Sequence, residues 1–234
     1  MRKILISERG ECSKNVLYIL GEIMAKLEFC KASSGLRFQD ERTTLVIEAE
    51  DRFEPYLRDL IVEKISEVIC IAYKYKHLNE RLGKLSLSDS EREILLAELI
   101  AADLAEDAAY VSERLSEDEI YQFDGFFAFR MHALQKKWER ICESIPPSFR
   151  AEQLADFIGY VMEENSGMLY VKGTEIYNES YQKLNRAGLI ATDALSLVRE
   201  IILSGAKEVF CLTDVSDTEL TFLQKYYSER VYFA

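Results

Sequence analysis

The stretch from Ile120 to Pro147, IYQFDGFFAFRMHALQKKWERICESIPP, decides the class of fold. Its side chains Ile120, Phe123, Phe127, Met131, Leu134, Trp138, Ile141 and Ile145 recur at steps of three and four, the period of a helix with one buried face. The spacing predicts a long helix that Pro146-Pro147 ends, since proline cannot continue the ladder of backbone hydrogen bonds. Phe126, Phe129 and Arg130 fall off that stripe. Together with Lys137 and Arg140 they form a second flank, aromatic and basic.

Immediately upstream, Ser88-Asp-Ser-Glu91 matches a capping box that starts another helix, with Ile94, Leu95, Leu99, Ala102, Ala105, Ala109 and Val111 as its packing face. Residues 86–119 hold 11 acidic and 2 basic residues, a net of −9, while residues 125–142 carry a net of +3. The simplest consequence is antiparallel packing of the two helices, with Arg130, Lys137 or Arg140 pairing across the seam and Phe126 and Phe129 above small alanines. The alternative is an exposed anchor for another protein, which aromatic and arginine side chains suit. Stacking on RNA is opposed by the neighbouring negative charge.

Farther out, strand-like and helical runs alternate. Lys3–Ser7 reads as a strand and Cys12–Phe29 as a helix, followed by a hairpin of Leu36–Gln39 and Thr43–Ala49. Pro55 then opens a helix through Leu57, Ile61, Ile65, Val68, Ala72, Tyr75 and Leu82 to Gly83, with Lys74, Lys76 and Arg81 on its polar face. On the other side, a short helix through Leu154–Met162 precedes a strand at Met168–Val171. Residues 173–190 read as irregular or partly helical; then come a helix over Thr192–Leu203, a strand at Glu208–Leu212, a helix over Thr218–Tyr227 and a strand at Val231–Phe233. The expectation is an α+β protein: a mostly helical centre between an N-terminal β-α-β-β-α segment and a C-terminal β-α-β-α-β-like segment, both ends being candidates for one shared small sheet. Three prolines and ten glycines leave no obvious linker, so one interlocked unit is expected, with sub-regions 1–83, 84–165 and 166–234.

The composition narrows the function classes. A formal charge of −12 opposes general binding to phosphate backbones or anionic lipid. MRKILISERGE lacks the apolar run of a secretory signal, and no uncharged run reaches the roughly 18 residues of a membrane span, so a cytoplasmic protein is expected. Cys12, Cys30, Cys70, Cys142 and Cys211 are too scattered for a zinc site and fit a reducing compartment. Two histidines, His77 and His132, exclude a multi-histidine metal centre. Phosphate-loop, dinucleotide, zinc-protease and serine-hydrolase motifs are missing, so neither a catalytic residue nor a cofactor is expected.

Asp214 directly follows the strand EVFCL, at the end where open α/β sheets often place ligands. It marks a second candidate, a small-ligand sensor or enzyme using the C-terminal strand ends. Ser216-Asp-Thr-Glu219 also explains this turn as a helix start. Glu106-Asp107, Glu117-Asp118-Glu119 and Glu163-Glu164 read as solvated helix faces rather than acid–base pairs.

The segment Gln122–Met131, QFDGFFAFRM, resembles the Asp-Gly-Phe-x-x-Phe-Arg-Leu segment of the YtxC-like sporulation proteins of endospore-forming bacteria, with Met131 in place of leucine. The order that follows is similar too: a helix, a second helix over Glu152–Glu164, a strand like MLYV and a helix leading into KEVFCL. The resemblance covers about the last half of the chain. It implies a connection with sporulation and supplies no catalytic or cofactor residue. The expected function is therefore non-enzymatic, through contacts with a protein partner whose identity, like the oligomeric state, the sequence leaves open.

Overall fold

In the computed structural model, which describes residues 2–115 and 120–234, the chain is an α+β protein with two small mixed sheets. In chain order the elements are β1 (Arg2–Arg9), α1 (Lys14–Phe29), β2 (Ser33–Gln39), β3 (Arg42–Ala49), α2 (Glu54–Glu67), a π-helical segment (Val68–Tyr73), α3 (Lys74–Leu82), α4 (Asp89–Ala101) and α5 (Leu104–Leu115). There follow β4 (Ile120–Gln122), α6 (Phe123–Arg130), α7 (His132–Ser144), α8 (Ala151–Glu164), β5 (Met168–Lys172), β6 (Glu175–Tyr177) and β7 (Lys183–Leu184). A 3₁₀ turn (Arg186–Leu189), α9 (Ser196–Ser204), β8 (Glu208–Cys211), α10 (Asp217–Tyr226) and β9 (Val231–Phe233) complete it. The cluster Glu117-Asp118-Glu119 lies outside the described residues. No helix among them is long and apolar enough to cross a membrane.

Contacts divide the chain into two compact units, residues 1–73 with 105–138 and residues 74–104 with 139–234. In the first, the sheet order is β2-β3-β1-β4, with β1 antiparallel to β3 and parallel to β4. Ile4 and Ile6 of β1 and Leu45 and Ile47 of β3 are fully buried, as are Val16, Ile19 and Ile23 of α1, which packs on both strands. Asp40 and Glu41 join β2 to β3, both at positive φ (52° and 58°), the handedness a two-residue hairpin requires.

In the second unit the order is β7-β6-β5-β8-β9, with β5, β8 and β9 parallel and the β5-β6-β7 meander antiparallel. Helix α9 is buried from Leu197 to Leu203 and packs along α4, ending at Gly205 in the left-handed region (φ 64°) that glycine tolerates. Its two buried charges are paired: Arg199 donates two 2.8 Å bonds to Asp193 and one of 3.0 Å to Glu93. Glu200 accepts from the Ala187 N–H at 2.6 Å and from Arg186 at 3.3 Å.

Four expectations change. The two strand-bearing ends do not share a sheet: the N-terminal strands pair with one another and with β4, and the C-terminal strands form a sheet of their own. The long helix over residues 120–145 is divided: Ile120–Gln122 pairs with Leu5–Ser7 as a strand, and the backbone leaves the helical region at Met131 (φ −103°, ψ 26°). The Gln135 side chain donates across this break to the Phe127 carbonyl at 2.8 Å. The helix beginning at the Ser88 capping box is likewise divided, between α4 and α5. Lys74, expected on a polar face, is fully buried with its Nζ 3.6 Å from Asp103. The π-helical segment accounts for this, since its wider turns shift the buried positions to Lys74, Leu78 and Leu82.

Candidate functional site

Helix α6 carries the first candidate face. Asp124 sits in its first turn and pairs with Arg42 at the start of β3, whose guanidinium also reaches Ser7. Burial pushes the Asp124 carboxyl up, but the hydrogen bond and charge of Arg42 outweigh it and hold the group below the ordinary carboxylate range. Beneath the helix, Phe123 and Phe127 lie 6.3 and 5.0 Å from the Tyr73 ring, and Phe127 stacks on Trp138 at 5.6 Å. The Tyr73 hydroxyl donates to Glu8 at 2.5 Å, where Asn15 (2.8 Å) and Ser13 also donate. Burial and the Glu8 carboxylate push the Tyr73 hydroxyl's pKa up. With three donors on it, Glu8 ties β1, α1 and the π-helical segment together, which is a structural task.

On top of this foundation Phe126 is buried, whereas Phe129 is 80% exposed and Arg130 is exposed, its guanidinium 5.9 Å from the Phe126 ring centre. Lys137 donates to Glu106 at 2.7 Å and to Asp107 at 2.8 Å, and the Trp138 indole N–H reaches Asp107 at 2.9 Å. Arg140 is exposed and belongs to the second unit. Of the five residues on the expected flank, the structure therefore turns Phe126 inward, engages Lys137 with α5 and leaves Phe129 and Arg130 outward.

The second candidate lies at the carboxyl ends of β5 and β8. Asp214 is exposed there. Beside it, the Gly173 N–H donates to the Thr213 hydroxyl at 2.6 Å, and Ser216 and Glu219 form the reciprocal cap of α10. An open crevice of about 620 Å³ adjoins this cap, lined by Thr174, Asn185, Asp193, Ser196, Glu200 and Glu219 among others, with Asp214 outside the lining. The Arg199 hydrogen bond lowers the Asp193 pKa, and Glu200 is already bonded, so both carboxylates first serve to hold α9.

Sequence reading missed a third feature, an aromatic row across the outer face of the second sheet. Tyr177 of β6 stands opposite Tyr170 of β5, Tyr170 beside Phe210 of β8, and Phe210 beside Tyr232 of β9. Tyr170 and Phe210 lie 5.6 Å apart, and Phe210 stacks on Tyr232 at 4.7 Å. Tyr181, 66% exposed, stacks on Tyr170 at 4.9 Å, and Tyr232 is 43% exposed. The signal was present in alternation: Leu169-Tyr170-Val171 and Val209-Phe210-Cys211 each set one aromatic between two buried side chains. What was lacking was the register that brings the strands side by side. No protein-family model, no curated protein and no solved structure matches this chain.

Proposed function

We propose that the chain acts through contacts with another protein rather than through catalysis, as a cytoplasmic protein of endospore formation, the setting that the likeness of Gln122–Met131 to YtxC-like proteins implies. The observation that carries the protein-contact reading is the aromatic row Tyr177, Tyr170, Phe210 and Tyr232, presented on a paired sheet with Tyr181 stacked on Tyr170. Aromatic side chains supply large contact area at low entropic cost, and tyrosine adds a hydroxyl that stays satisfied at a wet rim. Phe129 and Arg130 support the same reading from the first unit.

The test is recovery of partners from lysates of sporulating cells on immobilised protein. Tyr181→Ser/Tyr232→Ser and Phe129→Ala/Arg130→Glu are compared with wild type, each shown by circular dichroism to be folded. Loss of a partner with either pair supports the proposal, and equal recovery with both sinks it. Phe126 is left intact because it is buried, so its truncation would report packing.

The crevice of about 620 Å³ favours a second reading, binding of a small polar ligand at the strand ends. A thermal-shift screen of small polar metabolites would show stabilisation of the native chain and none of Ala194→Trp, which fills the crevice. A screen in which no compound stabilises the native chain removes this reading.

A further inference from the structure

We propose that β2 is a self-association edge: two copies pair antiparallel through Ser33–Gln39 about a two-fold axis at Leu36, joining their first-unit sheets. The four sheet edges are built unequally. β4, β7 and β9 present three, two and three residues, short edges that offer little to a passing strand, whereas β2 presents seven. All seven are exposed. The strand contains no proline, lysine or carboxylate, devices that commonly discourage edge pairing, and its single charge is Arg37.

The apolar face of the sheet also runs out to this edge uncovered. Across the sheet, Ile6, Leu45 and Leu36 are register partners; the first two are fully buried and Leu36 is 45% exposed. In the next row Thr43 is buried and Phe38 is 53% exposed. Pairing with a further strand would extend the backbone ladder and cover these two side chains in one step. The strand is held ready for it, since all of Ser33–Gln39 is already in register with Arg42–Glu48.

Complementarity identifies the occupant as a second copy. With Leu36 opposite Leu36, an apolar pair on the axis, Phe38 falls opposite Ser34 and Arg37 opposite Gly35, so the two largest side chains each meet a small residue and no like charges stand directly opposed. Nothing lies within 4 Å of the place a Cβ would occupy on Gly35, which leaves space for the arginine. The same register brings the Asp40-Glu41 turn of one copy to the Ala32-Lys31 end of the other, an acidic turn against an exposed lysine, twice by symmetry.

Sedimentation equilibrium of the full chain tests this. Wild type is expected to form a reversible dimer with Kd on the order of 10 μM, since edge pairing lies at the small end of interface areas. Leu36→Lys and Leu36→Glu place like charges face to face and weaken the dimer at least tenfold. An equimolar mixture of the two variants associates again, which a mere folding defect would not produce. A wild-type monomer at about 200 μM, undiminished association of Leu36→Lys, a mixture that stays monomeric, or growth beyond dimer would each overturn the proposal.

Discussion

Glu98 on α4 shows how one side chain sets the pH response of a fold. It is 2% exposed, and burial alone pushes its carboxyl up to about 8 from 4.5. Burial raises the Tyr227 hydroxyl, and the charge of Glu98 adds to that rise. The folded chain holds the proton where the unfolded chain has released it, so this contribution to stability is complete below about 4.5 and is lost as pH rises through about 8. The slope is about 1.4 kcal/mol per pH unit while only the folded form is protonated, a few kcal/mol in all. Glu98→Gln should therefore flatten the fall of the denaturation midpoint between pH 5 and 8 and raise stability at pH 8. An unchanged slope in the variant would place the pH dependence elsewhere.

Among elements, the run Glu54–Leu82 has the largest consequence for reading side chains. Helical throughout, it carries Val68–Tyr73 as a π-helical segment in which Val68, Ile69, Cys70 and Ile71 are all buried. The wider turns place Lys74 in the interior, where its pairing with Asp103 offsets part of the desolvation cost. Replacing the whole charge by an apolar side chain removes that cost, so Lys74→Met is expected to be neutral or stabilising. Asp103→Ala leaves the buried ammonium without this carboxylate and should cost about 3 kcal/mol, read from chemical denaturation midpoints. The opposite order of the two variants would show that Lys74 is held by other groups.

Features set by local spacing were legible. The capping boxes at Ser88 and Ser216, the α1 stripe and the β2-β3 hairpin are local patterns, and each forms where residue spacing places it. Periodicity fails where the period itself changes, as at Val68–Tyr73, or where a short apolar run fits two periods. Ile120-Tyr121-Gln122 extends a helical stripe and yet pairs beside β1, which sequence spacing cannot register. Of the candidate sites, Phe129 and Arg130 were legible as residues off a core stripe. The aromatic row was not, because it exists only where β8 and β9, distant in sequence, pair beside the β5-β6 hairpin.

At the scale of the molecule, each unit is assembled from two separated stretches of chain. Residues 139–234 contain every strand of the second sheet, together with α8, α9 and α10. The side of α9 that packs along α4 depends on residues 74–104, where Ile94, Leu95, Leu96, Leu99 and Ile100 are buried and Glu93 holds Arg199. At roughly 2 kcal/mol for each buried aliphatic side chain, those five contribute on the order of 10 kcal/mol, as much as the net stability of an ordinary domain. Residues 139–234 alone should therefore show no cooperative thermal transition and should bind a hydrophobic dye. Co-expression with residues 74–104 should restore a sigmoidal transition and suppress dye binding. A cooperative transition in 139–234 by itself would mean that the sheet and its helices carry their own core, and that α4 stabilises the unit without being needed to form it.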